Sequence, residues 1–301
     1  KNRIITNKKS YEILKKKTKN IKINIYNNFK KLDKIFKKKV DYSMSSISGI
    51  SGLEPTLNII KFSKKIAIAN KEAIICGWNL INSELKKNKT NFVPVDSEHF
   101  SLWYGLKGFK KDNLEQIFLT ASGGPFYQKA LKDFNKIKIS ETLKHPNWKM
   151  GKKISTDSAT LINKVYEVIE ARNIFNIQYK KIKILIHPNS YVHAILKFNN
   201  GITKIIVHDT TMKIPIFNTL YPNNDVILKS KKINIKILNN LSLKNVNPKK
   251  YPMVKILDFL PSKNSLFETI IVSANDRLVE LFLENKIRFI DIQKILFRFI
   301  K

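Results

Sequence analysis

The sequence has 301 residues, 43% of them hydrophobic, and a formal net charge of +33. A hydrophobic share of this size predicts a folded chain of two or three domains and excludes a disordered protein. We expect neither a membrane span nor a secretory signal, because we find no apolar run of 18 residues and no charged-then-apolar leader. The single cysteine, Cys76, excludes an intramolecular disulfide and fits a reducing cytoplasm.

The positive charge comes mainly from lysines that are spread along the whole chain, whereas arginine is scarce. Lysine, asparagine and isoleucine are over-represented in proteins of AT-rich genomes. We therefore interpret the lysines first as a result of codon bias, lying on solvent-exposed faces of the protein. A basic nucleic-acid-binding protein is the alternative, since clustered cations neutralise phosphates. The field of such a chain would also favour an anionic small substrate.

Short β-branched runs alternate with helical stretches over residues 1–90, which is typical of a parallel sheet covered by helices. The predicted strands are NRIIT, IKINIYN, VDYSMSS and KKIAIAN, and the predicted helices are SYEILKKKTKN, NFKKLDKIFKK and EPTLNIIKFS. A glycine turn, SGISGL, follows the third strand where a nucleotide would bind, although its spacing lacks the dinucleotide fingerprint. Asn70, Lys71 and Glu72 end the fourth strand and would face a ligand at the edge of the sheet.

The rest of the chain mixes strands and helices in another order. A long helix, KEAIICGWNLINSELKKN, precedes a strand that breaks into a loop, NFVPVDSEHFSLW, and a further strand, QIFLTASGGPF. We expect one helix from Asp157 to about Phe175 and then three strands, the last two forming a hairpin around NNG. Five prolines indicate a connecting segment over residues 210–262, and the tail from Ser265 is helical. The predicted fold class is α/β: a truncated Rossmann-like parallel-sheet domain, then an α+β domain and a C-terminal helical segment.

Asp96 and Glu98 lie two residues apart at the end of a predicted strand, so both carboxylates would point to the same side. Hard oxygen ligands suit Mg²⁺ or Mn²⁺ rather than Zn²⁺. The alternative is a solvated loop start without an ion. Glu167 is the candidate third carboxylate, because its helix also carries Asn163 and Lys164.

The helix predicted to begin at Asp157 gathers groups that could bind phosphate. Asp157 or Ser158 would cap this helix, and its free N–H groups would attract an anion. Asn163, Lys164 and Glu167 are three or four residues apart and share one face. A capped surface helix with one Glu–Lys pair is the alternative interpretation.

Other stretches contain polar or aromatic side chains, and their residue patterns fit either a ligand site or an ordinary structural role. Ser122 precedes a Gly-Gly turn, which is either a nest of amides suited to anions or an ordinary turn. His145 and Trp148 lie in a polar stretch before Gly151, where the Trp either packs on a core or belongs to a lid over a ligand. We interpret His99 as a surface or structural histidine.

Several of these stretches, in this order, resemble the 1-deoxy-D-xylulose 5-phosphate reductoisomerase family. They are GLEPTL, IAIANKEA, VPVDSEH, SGGPF, HPNWKMGKKISTDSATLINK, IHPNSYVHA and ANDRLVELFLENKIRFIDI. The resemblance implies an oxidoreductase that uses NADPH and a divalent ion, Mn²⁺ or Mg²⁺, with Co²⁺ as a further candidate. Its substrate would be a phosphorylated sugar, 1-deoxy-D-xylulose 5-phosphate, which is rearranged and reduced to 2-C-methyl-D-erythritol 4-phosphate in non-mevalonate isoprenoid biosynthesis.

The resemblance also implies roles for residues of this sequence, motif by motif. The metal ligands would be Asp96, Glu98 and Glu167. The substrate contacts would be Lys71, Ser97, Glu98, Ser122, His145, Trp148, Ser158, Asn163, Lys164 and Glu167. The NADPH contacts would be Asn70, Glu72 and Gly151. The catalytic residues would be Lys71, Asp96, Glu98, His145 and Glu167.

The same resemblance implies a domain organisation. Residues 1–90 would be a partial NADPH-binding Rossmann-like domain, 91–209 a catalytic domain with a flap, 210–262 a connecting segment and 263–301 a partial C-terminal helical domain. The family's GSTGSIG-like loop is not found in the sequence, so we expect a piece of a longer protein. Val165 stands where the family usually has glycine. A homodimer without membrane or nucleic-acid partners is implied, and an inactive paralogue is the alternative to an active enzyme.

Overall fold

The computed structural model describes residues 2–4, 6–29, 32–222, 226–263 and 265–300. The chain divides into two compact units. The first unit comprises residues 1–73 and 77–93, and the second unit comprises residues 74–76 and 94–301. No helix in the described part of the chain combines the length and the hydropathy needed to cross a membrane.

Parallel strand pairing dominates the elements up to Pro94, as the alternation of strands and helices predicts. These elements are β1 (Asn2–Ile4), α1 (Lys8–Lys17), β2 (Asn24–Tyr26), α2 (Leu32–Ile35), β3 (Val40–Ser45), α3 (Leu53–Ile60), β4 (Ser63–Ile68), α4 (Lys71–Lys87) and β5 (Asn91–Pro94). β1 pairs with β2 and β3 pairs with β4, both in parallel. The larger sheet has the order β3-β4-β5. The predicted Rossmann-like parallel sheet is thereby confirmed.

Helix α4 begins at the carboxyl edge of this sheet. Asn70 caps the helix, because its Oδ1 accepts a hydrogen bond from the main-chain N of Ala73 at 2.7 Å. Its Nδ2 donates to the carbonyl oxygen of Gly49 at 2.7 Å, which joins the helix start to the glycine turn after β3. A Cβ on Gly52 would overlap this amide, so the contact requires glycine at that position.

The second unit combines a mixed sheet with helices. Its elements are α5 (Ser97–Gly105), β6 (Leu114–Ala121), α6 (Ile139–Thr142), α7 (Lys152–Thr160), α8 (Ile162–Phe175), β7 (Ile182–Ile186), β8 (Val192–Phe198), β9 (Thr203–Val207), α9 (Lys213–Leu220), α10 (Ile235–Asn239), β10 (Lys244–Asn245), α11 (Phe267–Leu283) and α12 (Phe289–Ile300). The sheet order is β10-β7-β6-β8-β9, with β6 and β7 parallel and the other neighbours antiparallel. The predicted hairpin is present, and Gly201 adopts φ +83° in its turn.

Helix α8 is buried between two hydrophobic clusters. Val165, Tyr166 and Ile169 pack in a cluster with side chains of α11 and α12. Val168 and Ala171 pack in a second cluster with side chains of β6 and β8. A helix that is apolar on opposite faces lies in the core, so the polar residues of α8 are held in place by packing on both sides. Val165 itself is fully buried in this packing.

The prediction of a single helix from Asp157 to about Phe175 is wrong. The structure has α7 and α8, separated by Leu161 in the left-handed region at φ +67°. Asp157 and Ser158 therefore lie inside α7 and cap no helix. Left-handed backbone costs a non-glycine residue about 1–2 kcal/mol, and burial of the Leu161 side chain beside Tyr251 offsets that cost.

Two further segments contain more helix than their sequence patterns indicate. The loop predicted after β5 is instead helix α5. Residues 210–262 carry α9, α10 and a 3-10 helix at Pro252–Phe259. Met253 and Ile256 of that 3-10 helix are fully buried. Short helices depend on tertiary packing of this kind more than on local propensity.

Candidate active site

Acidic side chains from two helices converge in the second unit. Asp96 caps α5, Glu98 lies in the first turn of α5, and Glu167 lies on α8. One carboxylate oxygen from each residue lies within 4.8 Å of the other two. The sequence pattern predicted that these three carboxylates meet, but it placed Asp96 and Glu98 on one face of a strand. A helix cap and the first helical turn produce the convergence instead.

The spacing of these oxygens fits a hard divalent cation. Mg²⁺ binds oxygen at about 2.0–2.1 Å, so its octahedral ligands lie about 3 Å apart when adjacent and about 4 Å apart when opposite. Oxygens that already lie within 4.8 Å of one another need only a small closure to reach these separations. A donor set made of carboxylates suits Mg²⁺ or Mn²⁺ better than Zn²⁺.

Lys164 lies between two of these carboxylates. Its Nζ contacts Glu98 Oε1 at 2.8 Å and also Glu167 Oε2, and its side chain is only 6% exposed. Burial by itself would lower the pKa of Lys164, but the charges of Glu167 and Glu98 outweigh burial and raise it. Burial would likewise raise the pKa of Glu98, and the charge of Lys164 outweighs it and lowers that pKa. Glu98 and Lys164 are therefore both charged.

Two neutral side chains orient the carboxylates. Ser97 Oγ donates to Glu98 Oε2 at 2.5 Å, and Asn163 Nδ2 donates to Glu167 Oε1 at 2.5 Å. Asn163 and Glu167 are four residues apart on α8 and share a face, as predicted. Three residues predicted to contact the substrate, Ser97, Asn163 and Lys164, thus lie directly against predicted metal ligands.

His99 and Glu170 extend the carboxylate cluster, although the sequence did not mark them as site residues. Both side chains are buried. His99 Nε2 lies 2.8 Å from the main-chain oxygen of Glu167, and Nδ1 lies 3.5 Å from Asp96 Oδ1 and 3.9 Å from Glu170 Oε2. With Asp96 they form a second grouping whose ligand atoms lie within 4.8 Å. The available signal was the three-residue spacing from Asp96 to His99 and from Glu167 to Glu170.

Ser122 lies in a turn that packs directly against α7. Gly124 adopts φ +64°, and a Cβ there would lie 2.9 Å from the carbonyl oxygen of Ser158. Ser122 Oγ accepts a hydrogen bond from the main-chain N of Gly124 at 3.0 Å. The phosphate candidates Ser122 and Ser158 therefore lie on adjoining segments because two backbones approach closely, and not because a helix starts at Ser158.

His145 is held as a neutral imidazole with its hydrogen on Nε2. Its Nδ1 accepts hydrogen bonds from the main-chain N of Asn147 at 3.1 Å and of Trp148 at 3.0 Å. Nε2 therefore donates to Ser122 Oγ, at 3.0 Å. Burial, with a smaller contribution from Lys164, lowers the pKa of His145 to about 4. The ring is neutral at neutral pH and ties its segment to the turn at Ser122.

Trp148 packs edge-on against a buried histidine of β8. Its ring centroid lies 6.4 Å from that of His193, which in turn stacks on His208 at 3.7 Å with 12° between the ring planes. Burial lowers the pKa of His193 to about 3, and the neighbouring His208 contributes to the same direction. The aromatic side chain in this polar stretch therefore has a buried partner.

The remaining predicted residues lie at helix starts. Lys71 and Glu72 open α4 in the first unit, and Lys71 is buried. Gly151 caps α7 in the second unit, and a Cβ there would have nothing within 4 Å. Helix starts present free N–H groups and the positive end of the helix dipole, which favour phosphate groups.

Models of one enzyme family match most of the chain. The model described as 1-deoxy-D-xylulose 5-phosphate reductoisomerase matches residues 1–77, and the model of the C-terminal domain of that enzyme matches residues 92–175. A further model, described as the DXP reductoisomerase C-terminal domain, matches residues 208–301.

Curated relatives agree with the family models. The 1-deoxy-D-xylulose 5-phosphate reductoisomerase of Pelagibacter ubique (strain HTCC1062) is 60% identical over 300 residues, which cover 99% of this chain and 77% of the relative. The enzyme of the same name from Clostridium tetani (strain Massachusetts / E88) is 39% identical over 260 residues, which cover 86% of this chain and 67% of the relative.

Solved structures share the fold. The 1-deoxy-D-xylulose 5-phosphate reductoisomerase from Zymomonas mobilis in complex with NADPH matches with a TM-score of 0.87 and 28% identity, over 100% of this chain and 78% of that one. A DOX-P reductoisomerase in complex with NADPH, fosmidomycin and magnesium matches with a TM-score of 0.88 and 29% identity, over 99% of this chain and 76% of that one. Sequence and fold agree, and the chain belongs to the 1-deoxy-D-xylulose 5-phosphate reductoisomerase family.

Proposed function

We propose that this chain catalyses the NADPH-dependent rearrangement and reduction of 1-deoxy-D-xylulose 5-phosphate to 2-C-methyl-D-erythritol 4-phosphate, a step of non-mevalonate isoprenoid biosynthesis. Family membership supports the reaction. Relatives solved with NADPH and with magnesium support both cofactors. The observation in this chain that carries the proposal is the convergence of Asp96, Glu98 and Glu167 beside Lys164.

The divalent ion, Mg²⁺ or Mn²⁺, would be held by Asp96, Glu98 and Glu167. When bound, such an ion acts as a Lewis acid on substrate oxygens and stabilises the negative charge that develops there. The hydrogen bonds from Ser97 and Asn163 hold two of the carboxylates in fixed orientations. Preset ligands of this kind need little reorganisation, and partners behind the ligands commonly control metal affinity.

The substrate phosphate would be bound by Ser122, Ser158, Asn163 and Lys164. Lys164 supplies a positive charge, and the side-chain hydroxyls and amide supply further donors. The phosphate is remote from the bonds that change, so its binding energy can fix the orientation of the reacting carbons. Lys164 also pairs with Glu98 and Glu167, and Asn163 donates to Glu167, so these two residues join the phosphate and metal regions.

His145, Trp148 and Gly151 would belong to a flap over the substrate. The hydrogen bond from His145 to Ser122 joins this segment to the proposed phosphate pocket. Binding of a phosphate by Ser122 would therefore change the hydrogen bond that holds the flap. Closure of such a segment excludes water from a reactive intermediate.

NADPH would be bound at the parallel sheet of the first unit, with contacts from Asn70 and Glu72 and a further contact from Gly151. The cofactor supplies hydride when bound. In support, Asn70 fixes the glycine turn after β3 against the start of α4, the kind of strand-to-helix junction at which α/β sheets bind nucleotides. Lys71, next to the Asn70 cap, would contact the substrate.

The domain assignment belongs to the same proposal: residues 1–90 for NADPH, 91–209 for catalysis, 210–262 as a connecting segment and 263–301 as part of a helical domain. We also propose a homodimer in the bacterial cytoplasm. Strand β9 lies at an edge of the mixed sheet, with its Ile205 about half exposed, and exposed sheet edges favour pairing with another chain. Light scattering of the purified protein measures the oligomeric state.

The reaction is tested by supplying the purified protein with 1-deoxy-D-xylulose 5-phosphate, NADPH and Mn²⁺ or Mg²⁺. We expect NADPH consumption that requires all three, with 2-C-methyl-D-erythritol 4-phosphate identified by mass spectrometry. The matched control is Glu115→Gln, which removes an exposed carboxylate paired with Lys197 and should leave the rate unchanged. A folded, metal-loaded protein that consumes no NADPH would contradict the proposal.

A further inference from the structure

A buried polar network joins α7 to α11. Asp157 on α7 and Asn275 on α11 are 2% and 0% exposed. Asn275 Nδ2 donates to Asp157 Oδ1 at 2.8 Å, and Lys153 Nζ contacts Asp157 Oδ2 at 2.9 Å. Lys153 Nζ also contacts Asp276 Oδ1 at 3.0 Å. Asp157 thus has one partner on its own helix and one on a helix more than 100 residues later in the chain.

Asp157 depends on both partners. A carboxylate with almost no solvent contact is costly to bury unless each oxygen has a donor. Here Asn275 serves one oxygen and Lys153 the other, while Asp276 balances the charge of Lys153. A change at Asn275 therefore alters where the Asp157 carboxylate can lie, and with it the position of α7.

Apolar packing alone holds α7 weakly. The buried residues of this helix are small or polar: Ser155, Thr156, Asp157, Ala159 and Thr160. Burial of such side chains contributes little hydrophobic free energy, because that term scales with apolar area. The polar network therefore contributes strongly to fixing α7 against α11.

The same turn of α7 forms part of the proposed phosphate pocket. Ser158 follows Asp157 directly, and its carbonyl oxygen packs so closely on Gly124 that a Cβ there would lie 2.9 Å away. The turn at Gly124 carries Ser122, the other hydroxyl of the pocket. The helix is thus held between this turn and α11, and a shift of α7 would separate the two hydroxyls.

We infer that Asn275 and Lys153 are positioning residues for phosphate recognition, acting through Asp157 on Ser158. This inference rests on the proposed function, since it concerns the phosphate of that substrate. Neither residue is among the proposed substrate contacts. Their effect is to hold α7 where Ser158 and Ser122 can bind one phosphate group together.

The test compares Asn275→Asp with the exchanged pair D157N/N275D. The single change sets two carboxylates against each other in a buried site, whereas the exchanged pair restores one amide and one carboxylate. Loss of a hydrogen bond to a buried charge predicts a KM for 1-deoxy-D-xylulose 5-phosphate about tenfold higher in Asn275→Asp. We expect the affinity for Mn²⁺ to change by less than about twofold, because no metal ligand is altered. We expect kcat to fall by a smaller factor than KM rises, because a phosphate that is bound still orients the reacting carbons.

The exchanged pair should recover most of the KM. Arg277→Ala, which removes an exposed ion pair with Glu280 on the same helix, is the matched control and should leave KM unchanged. Lys153→Met provides a second variant, with a raised KM expected, if Asn275→Asp does not fold. An unchanged KM in a folded Asn275→Asp or Lys153→Met variant, or a KM that the exchanged pair does not recover, would overturn the inference. Absence of turnover in the unaltered protein would instead contradict the proposed function, so the two failures are distinguishable.

Discussion

Replacement of Glu167 by glutamine removes one negative charge from the carboxylate cluster while keeping the shape of the side chain. Glu167 Oε1 accepts from Asn163 and Oε2 accepts from Lys164, and the side chain is 3% exposed. The glutamine NH₂ group must face one of these donors or the metal, so a favourable contact becomes a repulsive one. The variant also leaves Lys164 with Glu98 as its only anionic contact among those identified for its Nζ.

The magnitude follows from the loss of one of the three proposed metal ligands. A bound metal ion contributes several kcal/mol of transition-state stabilisation, and about 1.4 kcal/mol corresponds to a tenfold change in rate. If about 3–5 kcal/mol of this stabilisation is lost, kcat/KM of Glu167→Gln falls by about 10²- to 10⁴-fold, with weaker Mn²⁺ binding. NADPH absorbance measures the rate, and Mn²⁺ titration followed by electron paramagnetic resonance measures the affinity. A folded Glu167→Gln variant with parental rate and Mn²⁺ affinity would refute the reasoning.

Four other predictions follow from the site. Lys164→Met should raise the substrate KM about 10- to 100-fold, because a charged donor to the phosphate is lost. It should not weaken Mn²⁺ binding, since Lys164 competes with the ion for the same carboxylates. A loss of Mn²⁺ affinity in a titration of this variant would contradict the prediction. Gly124→Ala should raise KM and lower the melting temperature more than Gly108→Ala. Both glycines have positive φ, but only Gly124 lies close to the main chain of α7. Equal effects of the two substitutions would argue against this close approach. Burial, and to a smaller extent the neighbouring His208, lowers the pKa of His193 to about 3. The neutral His193 side chain therefore contributes stability that is fully present above pH about 6.5 and is lost as the pH falls toward 3. In urea melts His193→Gln should therefore lose less stability than the parent on acidification, and an equal loss would contradict the assignment. Chelation should abolish turnover and Mg²⁺ or Mn²⁺ should restore it, with a gain of about 2.7 kcal/mol in the free energy of unfolding at a metal concentration 100 times the Kd.

Local patterns predicted those parts of the fold that local rules determine. The parallel sheet followed from strand–helix alternation, and the hairpin at Gly201 followed from its turn residues. The break between α7 and α8 could not be predicted in this way, because Leu161 adopts a left-handed conformation that its own side chain disfavours. Burial beside residues far away in sequence selects that conformation.

In the candidate site, too, residue types could be predicted from local sequence, whereas contacts between distant segments could not. The residue types of Asp96, Glu98 and Glu167 indicated an oxygen-ligated cation, yet Asp96 and Glu98 were assigned to a strand although Asp96 caps a helix. His99 was not expected in the site because its burial depends on contacts with α8, including the main chain of Glu167. A single sequence contains no direct record of such a contact across 68 residues.

Anomalous diffraction from crystals grown with Mn²⁺ tests the central claim most directly. We predict an anomalous peak about 2.2 Å from one oxygen each of Asp96, Glu98 and Glu167, which is the distance expected for a hard cation and carboxylates. A peak at the neighbouring grouping of Asp96, His99 and Glu170, or a Glu167 carboxylate that takes no part in binding, would contradict the account.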